Sequence, residues 1–542
     1  MSSTTDGAPM KWWGWGAPSK RNELDEGAQA MLREELGPAE PAEPGPVESI
    51  RLPDAQEIPQ AVRAAVGPGA VLEDNESRLL RAGGKSYPDL VRARTNAIEA
   101  APDAVLMPGT AAEVAGVLEA CAAEGVAVVP FGGGTSVVGG VDALRGAHRA
   151  VISLDLSRLQ RCEVDPVSQS ARLGPGLRGP AAEAALGRHG FTLGHFPQSF
   201  EFATIGGFAA TRSAGQASAG YGRFDELVNA VEMAAPAGTL RTLETPHTAA
   251  GPALRELVLG SEGTLGVITD VGVRVRPSPA KRRYQGWMAA DFETGAEIVR
   301  ELAQADALPD VTRLSDREET RISLAMAGLA GFKKSAFDAY LRLRGRTGGC
   351  MLITGWEGEP EDVERRRGIS ARILRTRGAA SLGSSPGEAW EHGRFEGPYL
   401  RDELMSLGYF VETLETSHTW SRYGELYAAV REALHGAMNA AGTPGIVMCH
   451  LSHAYRDGAS LYYTFIAPAK PGAELEHWRA LKGAACEAIV ATGGTITHHH
   501  AVGRDHAPYM GSEVGEVGME ALRALKERLD PAGIMNPGKL LP

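Results

Sequence analysis

Pro130-Phe131-Gly132-Gly133-Gly134-Thr135-Ser136-Val137-Val138-Gly139-Gly140 is the stretch on which the reading of the fold turns. Glycines lack a Cβ and accept positive φ, so successive N–H groups can converge on one anion, and Thr135 and Ser136 add hydroxyl donors. The residues from Val126 to Val129 ahead of it read as a short buried strand. Before that strand, Thr110 caps a helix whose apolar stripe is Val114, Val117, Leu118 and Cys121. A Rossmann site would place a helix directly after the glycines and seat the pyrophosphate on its N-terminus. Here the next regular element is a second strand, Ala150 to Leu154, so the Rossmann reading fails. Alone, the loop stays open to two readings, a phosphate cradle or a plain glycine-rich turn.

Two more tracts of small residues follow at wide, similar intervals. One is Gly194-His195-Phe196-Pro197-Gln198-Ser199-Phe200-Glu201-Phe202-Ala203-Thr204-Ile205-Gly206-Gly207-Phe208-Ala209-Ala210-Thr211-Arg212-Ser213-Ala214-Gly215. The other is Gly260-Ser261-Glu262-Gly263-Thr264-Leu265-Gly266-Val267-Ile268-Thr269. Three such tracts suggest one extended ligand against bare backbone, and a dinucleotide is the obvious candidate.

The rest of the chain sets bounds. At 542 residues it is too long for one core, and two or three domains are expected. A net charge of −12 argues against a nucleic-acid binder, because no basic excess displaces counterions. The scattered Cys121, Cys162, Cys350, Cys449 and Cys486 form no zinc or disulfide framework, which fits a reducing cytoplasm. No apolar run is long enough to span a bilayer. Residues 1–60 read as an arm of little periodicity, with the proline-rich linker Gly37 to Pro46. Ahead of the linker, Met10-Lys11-Trp12-Trp13-Gly14-Trp15-Gly16 concentrates indoles that are costly to leave in water, so this segment should dock on the body. The segment Leu522 to Leu529 reads as a helix stopped by Asp530-Pro531.

The three tracts, in this order, resemble the FAD-binding domain of the vanillyl-alcohol oxidase group, over about residues 100–277. The resemblance implies an α+β protein: a two-subdomain PCMH-type FAD-binding domain (101–277) and an α/β cap with an antiparallel sheet (278–490). A helical lead-in (61–100) precedes them, and a C-terminal helical segment (491–542) packs back on the FAD domain. It implies that Pro130, Phe131, Gly132, Gly133, Gly134, Thr135 and Ser136 hold the pyrophosphate. The remaining FAD contacts fall on Gln198, Ser199, Thr204, Gly206, Gly207, Thr211, Arg212, Ser213 and Ala214, and on Glu262, Gly263, Thr264, Leu265, Gly266, Val267 and Ile268. His195 precedes the second tract in the family's position and is a candidate catalytic residue or a satisfied structural histidine.

Lys11-Trp12-Trp13-Gly14-Trp15-Gly16 is also similar to the KW-x-GWG signature of the alkyldihydroxyacetonephosphate synthase family. Arg313 in Thr312-Arg313-Leu314-Ser315-Asp316 and Arg401 in Tyr399-Leu400-Arg401-Asp402 match substrate-site arginines. Tyr462, in Asp457-Gly458-Ala459-Ser460-Leu461-Tyr462-Tyr463, matches the acid/base tyrosine, and His498-His499-His500 matches a triple-histidine segment. In an extended strand Tyr462 and Tyr463 face opposite sides, while His498 and His500 share a face that His499 leaves. The tyrosine's chemistry calls for a phenol pKa lowered by cations such as Arg401 or a histidine. The resemblance implies that the acyl chain of acyl-dihydroxyacetone phosphate is exchanged for a fatty alcohol through a flavin N5 adduct, with no net redox change. It further implies a homodimer with access to lipid at a membrane surface.

Three positions depart from that family. His195-Phe196-Pro197-Gln198-Ser199 loses two carboxylates, Cys449-His450 replaces Cys-Arg, and Asn536-Pro537-Gly538-Lys539 looks more like the flavin-dependent D-2-hydroxy-acid dehydrogenases. That supplies a second reading, a hydroxy-acid dehydrogenase in which His450 and His453 help hold a divalent metal. The first reading needs no metal. A flavin-binding protein without chemistry is the third. Some members attach FAD through a histidine in the first glycine loop, and residues 130–140 contain none, so the flavin is expected to dissociate. Acid precipitation should leave the yellow colour in the supernatant; colour retained in the pellet would overturn this.

Overall fold

In the computed structural model, which describes residues 9–328 and 331–541, the helix capped by Thr110 runs Ala111–Glu124, and the threonine hydroxyl accepts the Glu113 N–H at 3.1 Å. Its stripe Val114, Val117, Leu118 and Cys121 is buried in one core with the strands beside it. Those strands form a four-stranded sheet in the order Val71–Leu72, Ala104–Leu106, Ala150–Asp155, Val126–Phe131. The last three are parallel and buried along most of their length, which explains their unbroken apolar runs. Gly132 therefore leaves the sheet at the carboxyl end of Val126–Phe131.

A five-stranded antiparallel sheet follows, in the order Cys162–Asp165, Ser170–Leu173, Val267–Arg274, Val228–Ala235, Gly238–Arg241. The third small-residue tract leads into Val267–Arg274, and the second contains the helix Ile205–Thr211, capped by Thr204. The first and second tracts interlock. A Cβ on Gly133 would overlap the Phe202 carbonyl, so only glycine lets the two backbones touch.

The cap is a wholly antiparallel seven-stranded sheet, ordered Ala380–Gly383, Lys281–Ala289, Cys350–Gly358, Val311–Ser315, Ile446–Ala454, Gly458–Pro468, Tyr409–Thr419. Helices Phe292–Gln304, Tyr423–Ala440 and Glu474–Thr492 contribute to the core on one face. Along Gly458–Pro468 the alternation is clean: Tyr463, Phe465 and Ala467 enter that core, while Tyr462, Thr464 and Ile466 line a cavity on the other face.

Both ends of the chain differ from expectation. The arm contains a helix, Glu26–Leu36, capped by Asp25. Leu32 and Leu36 are buried in it, against Ile322, Leu404, Val411 and Ile446 of the cap, with Met31 packed beside them; the helical spacing Ala28, Met31, Leu32, Leu36 went unread in so short a segment. The C-terminal helical segment is longer, Met510–Leu529, and Gly515, at φ +70°, breaks it into two helices. Beyond it Met535 bridges Val128 in parallel, covering the open edge of Val126–Phe131. Asn536 Nδ2 then donates to the Gly140 and Glu262 carbonyls, at 3.1 and 2.7 Å, and ties the first tract to the third.

The tryptophan segment docks as expected. Trp15 is buried edge-on against Phe202, its backbone N–H donates to Asp402 Oδ2 at 2.6 Å, and the Lys11 ammonium lies 3.6 Å from the same carboxylate. Gly16 has φ +78°, and a Cβ there would overlap the Tyr399 ring. Gly16→Ala is therefore expected to release the arm, read as faster trypsin cleavage between Lys20 and Arg33 with the body's circular dichroism unchanged.

Candidate functional site

A cavity of about 520 Å³ runs between the three small-residue tracts and the cap sheet. At its first end, residues 130–136 all line it. So do Gln198, Ser199, Thr204, Gly206, Gly207, Thr211, Ser213 and Ala214, and then Glu262, Gly263, Gly266 and Ile268. The N–H groups of residues 132–137 have no acceptor among the described residues. Six successive donors left free beside a cavity fit an anion the size of a pyrophosphate. Four expected contacts lie elsewhere. Arg212 turns away to the Leu259 carbonyl and Glu256, the Thr264 hydroxyl donates to the Ser261 carbonyl, and Leu265 and Val267 fill apolar cores. His195 also stands off the cavity. It is buried edge-on between Phe208 and Phe224 and hydrogen-bonded to Ser213 at 3.1 Å, a packing histidine behind a lining serine.

The middle of the cavity is polar. Arg401 projects from the helix Gly397–Ser406, and its Nη1 donates to the Lys85 carbonyl at 2.7 Å. Its Nε and Nη2 are buried without an acceptor among the described residues. That leaves a guanidinium edge suited to a phosphate or carboxylate. Lys85 also joins three segments: its N–H donates to the Ser136 carbonyl at 2.6 Å and its ammonium to the Lys11 carbonyl at 2.7 Å. The arm thus sits directly behind both Arg401 and the first glycine loop.

Tyr462 has His450 directly opposite on one neighbouring strand and Glu415 on the other. Its ring stacks on His450, with centroids 4.8 Å apart and 17° between planes, and meets His500 edge-on at 5.4 Å. Burial, with the Glu415 and Glu412 carboxylates, pushes the phenol up to about 12 against a Thr413 hydrogen bond and Arg313. The expected lowering is absent, because these cations do not outweigh desolvation, and the resting phenol is a proton donor. Arg313 Nη1 donates to His450 Nε2 at 3.1 Å and Nη2 to Glu319 Oε1 at 2.7 Å. An arginine can only donate, so His450 Nε2 is the acceptor and Nδ1 carries the proton that it gives to Glu319 at 3.1 Å. With both ring nitrogens engaged, His450 has no lone pair for a metal, and that part of the second reading fails.

His499 and His500 line the cavity, and His498 stands one layer back, hydrogen-bonded to the Tyr455 hydroxyl at 2.8 Å. The run is not an extended strand, so the alternation that a strand would impose does not apply. Three consecutive N–H groups, from His498, His499 and His500, converge on the Glu415 carboxylate at 2.6, 3.0 and 2.7 Å, which no strand allows. His453 has φ +44° where the strand pairing slips, and its ring stacks on His498. Burial pushes all of these imidazoles down, His500 to about 3, so they are neutral bases at physiological pH. Among the described residues, one group has metal-like spacing, Glu415, His498 and His499, with ligand atoms within 4.8 Å of one another. A carboxylate offers about four acceptor positions. Oε1 already takes the Thr497 hydroxyl at 2.7 Å and the His499 and His500 N–H groups, while Oε2 takes the His498 N–H.

The far end is apolar. Met31 and Leu32 of the arm helix face Ile322, Leu404, Met448 and Ile466 of the cap. Sequence reading missed Glu415, Glu319 and Lys85. The one signal was a pair of glutamates inside the otherwise apolar and β-branched run Tyr409–Thr416 of the strand Tyr409–Thr419.

Residues 102–244 match a family model described as an FAD binding domain, and residues 278–540 one described as the C-terminal domain of FAD-linked oxidases. The chain is 33% identical to the alkyldihydroxyacetonephosphate synthase of Trypanosoma brucei brucei over 86% of its own length and 78% of that protein's. It belongs to the alkyldihydroxyacetonephosphate synthase family. A solved synthase of this family superposes with a TM-score of 0.84 at 27% identity, covering 99% of each chain. The fold is shared more widely: p-cresol methylhydroxylase gives a TM-score of 0.66 at 16% identity over 89% of this chain and 95% of that one. Like its family, the chain is an FAD-dependent enzyme.

Proposed function

We propose that this synthase-family chain replaces the acyl chain of acyl-dihydroxyacetone phosphate with a fatty alcohol. The observation that carries the reading is one continuous cavity that joins a pyrophosphate-sized nest, an arginine edge without an acceptor, a tyrosine–histidine cluster and an apolar tunnel. A phosphate ester with a long alkyl chain fits that order; a short hydroxy acid leaves the tunnel without purpose. The residues of the three tracts that line the cavity hold FAD, and bound flavin supplies an electron-rich ring beside the reacting carbon. Arg401 binds the substrate phosphate. Tyr462, still protonated, gives its proton to the departing carboxylate as the C1–O bond breaks. A neutral imidazole, His499 or His500, takes the alcohol proton as the new C1–O bond forms, and the return of a proton from that imidazolium to the Tyr462 phenolate restores both groups with no net oxidation. Arg313 acts through His450, which it holds flat against Tyr462.

Membrane contact belongs to the same reading. No helix among the described residues is long and apolar enough to cross a bilayer. The helix Gly331–Leu343 carries an exposed apolar stripe, Phe332, Ala336, Ala339 and Leu343, with Phe332 87% and Leu343 85% accessible. Lys333, Lys334, Arg342 and Arg344 flank it, and the cavity-lining Met326 lies just ahead in the chain. This composition suits an anionic lipid surface that delivers the alcohol.

Alcohol-for-acid exchange by the FAD-loaded protein should fall by about 100-fold or more in Tyr462→Phe. Rapid bleaching of the flavin by a D-2-hydroxy acid, with stoichiometric zinc, would replace this reading with the dehydrogenase one. Wild-type protein should sediment with vesicles of anionic phospholipid, and the pair Phe332→Ser and Leu343→Ser should stay in solution.

A further inference from the structure

Two buried carboxylates meet the histidine segment from opposite sides. From the cap, Glu415 accepts the Thr497 hydroxyl and the N–H groups of His498, His499 and His500. From the third small-residue tract, Glu262 accepts the N–H groups of Val502 and Gly503, one on each oxygen, at 2.8 and 2.7 Å. The segment 497–503 is therefore strung between the cap and the flavin-side domain. We infer that Glu415 is a positioning residue, which sets His499 and His500 over Tyr462, and that Glu262 anchors the other end of the same segment.

Three features separate this from ordinary structural support. Glu415 lies in register with Tyr462, so one strand position fixes both the tyrosine and the backbone of three histidines. Its side chain is fully buried, and a buried carboxylate persists only when its donors are in place. Third, the curled path forced on residues 498–500 is what turns two consecutive rings into the cavity. Any relaxation toward a strand would withdraw one of them.

The inference rests on the proposed reaction for its catalytic consequence but not for its geometry, and the two can be tested apart. Glu415→Gln keeps the shape and puts an NH₂ against one of the N–H groups. The FAD-loaded variant should keep its flavin content and its KM. Its kcat should fall about 100-fold, the scale of a misplacement of about 1 Å. Amide hydrogen exchange in the peptide covering 497–503 should quicken. Glu415→Asp, which keeps the charge but falls short of the N–H groups, should not rescue either effect; rescue would mean that charge rather than position matters, and would overturn the proposal. So would unchanged kcat, unchanged exchange, or stoichiometric zinc in the wild type that the glutamine variant loses. If Glu415→Gln does not fold, Glu262→Gln should quicken exchange at 502–503, and its failure to do so would count equally against the proposal. Should the wild type lack exchange activity on the lipid, the proposed function fails while the amide-exchange result still judges the positioning.

Discussion

A carboxylate taken out of water must find donors, and in this protein it finds them on separate elements of the fold. Asp402 takes the Trp15 N–H and the Lys11 ammonium of the arm. Glu319 takes Arg313 and His450, which belong to two different strands. Glu415 and Glu262 divide the histidine segment between them. Each is a junction, and together they surround the cavity. The charges are not there chiefly for stability, since a buried ion pair is weak evidence of that. They fix which segments meet, because any other pairing leaves an unsatisfied charge.

This division of labour explains what was legible in the sequence. The glycine tracts were readable because their function demands a local property, bare backbone with free donors, and local properties leave contiguous runs. The helix after Thr110 and the alternation at Tyr462 and Tyr463 were readable for a similar reason: burial on one face imposes a period. Glu415, Glu319 and Lys85 were not, because each is a single polar residue with partners on other elements: Glu415 and Lys85 reach dozens to hundreds of positions away, and Glu319 pairs with Arg313 six residues back and with His450 131 positions on. The arm helix was missed because its repeat, Ala28, Met31, Leu32 and Leu36, covers barely two turns ahead of a proline-rich linker, and the cap alone gives that face a partner. The histidine run was noticed but its shape was not legible, because nothing within it announces that one carboxylate gathers its three N–H groups.

The site also shows how burial and charge share the control of proton affinity. Desolvation pushes the Tyr462 phenol up and the imidazoles down, which separates donor from bases without any cation poised on the phenol. A cluster of histidines beside a tyrosine is thus kept nearly uncharged, apart from Glu415 and Arg313. An apolar chain can then pass close by at little electrostatic cost.

The docking of the arm has a consequence for biosynthesis. The contact between Trp15 and Asp402 spans 387 residues. At typical rates of about 5–20 residues per second, the arm leaves the ribosome some tens of seconds before the helix that receives it. During that interval its tryptophans have no native surface to cover, and they are an aggregation hazard on the nascent chain. Its docking has to wait until the helix Gly397–Ser406 has been made, so Arg401 and the first glycine loop acquire the arm's backing late in synthesis.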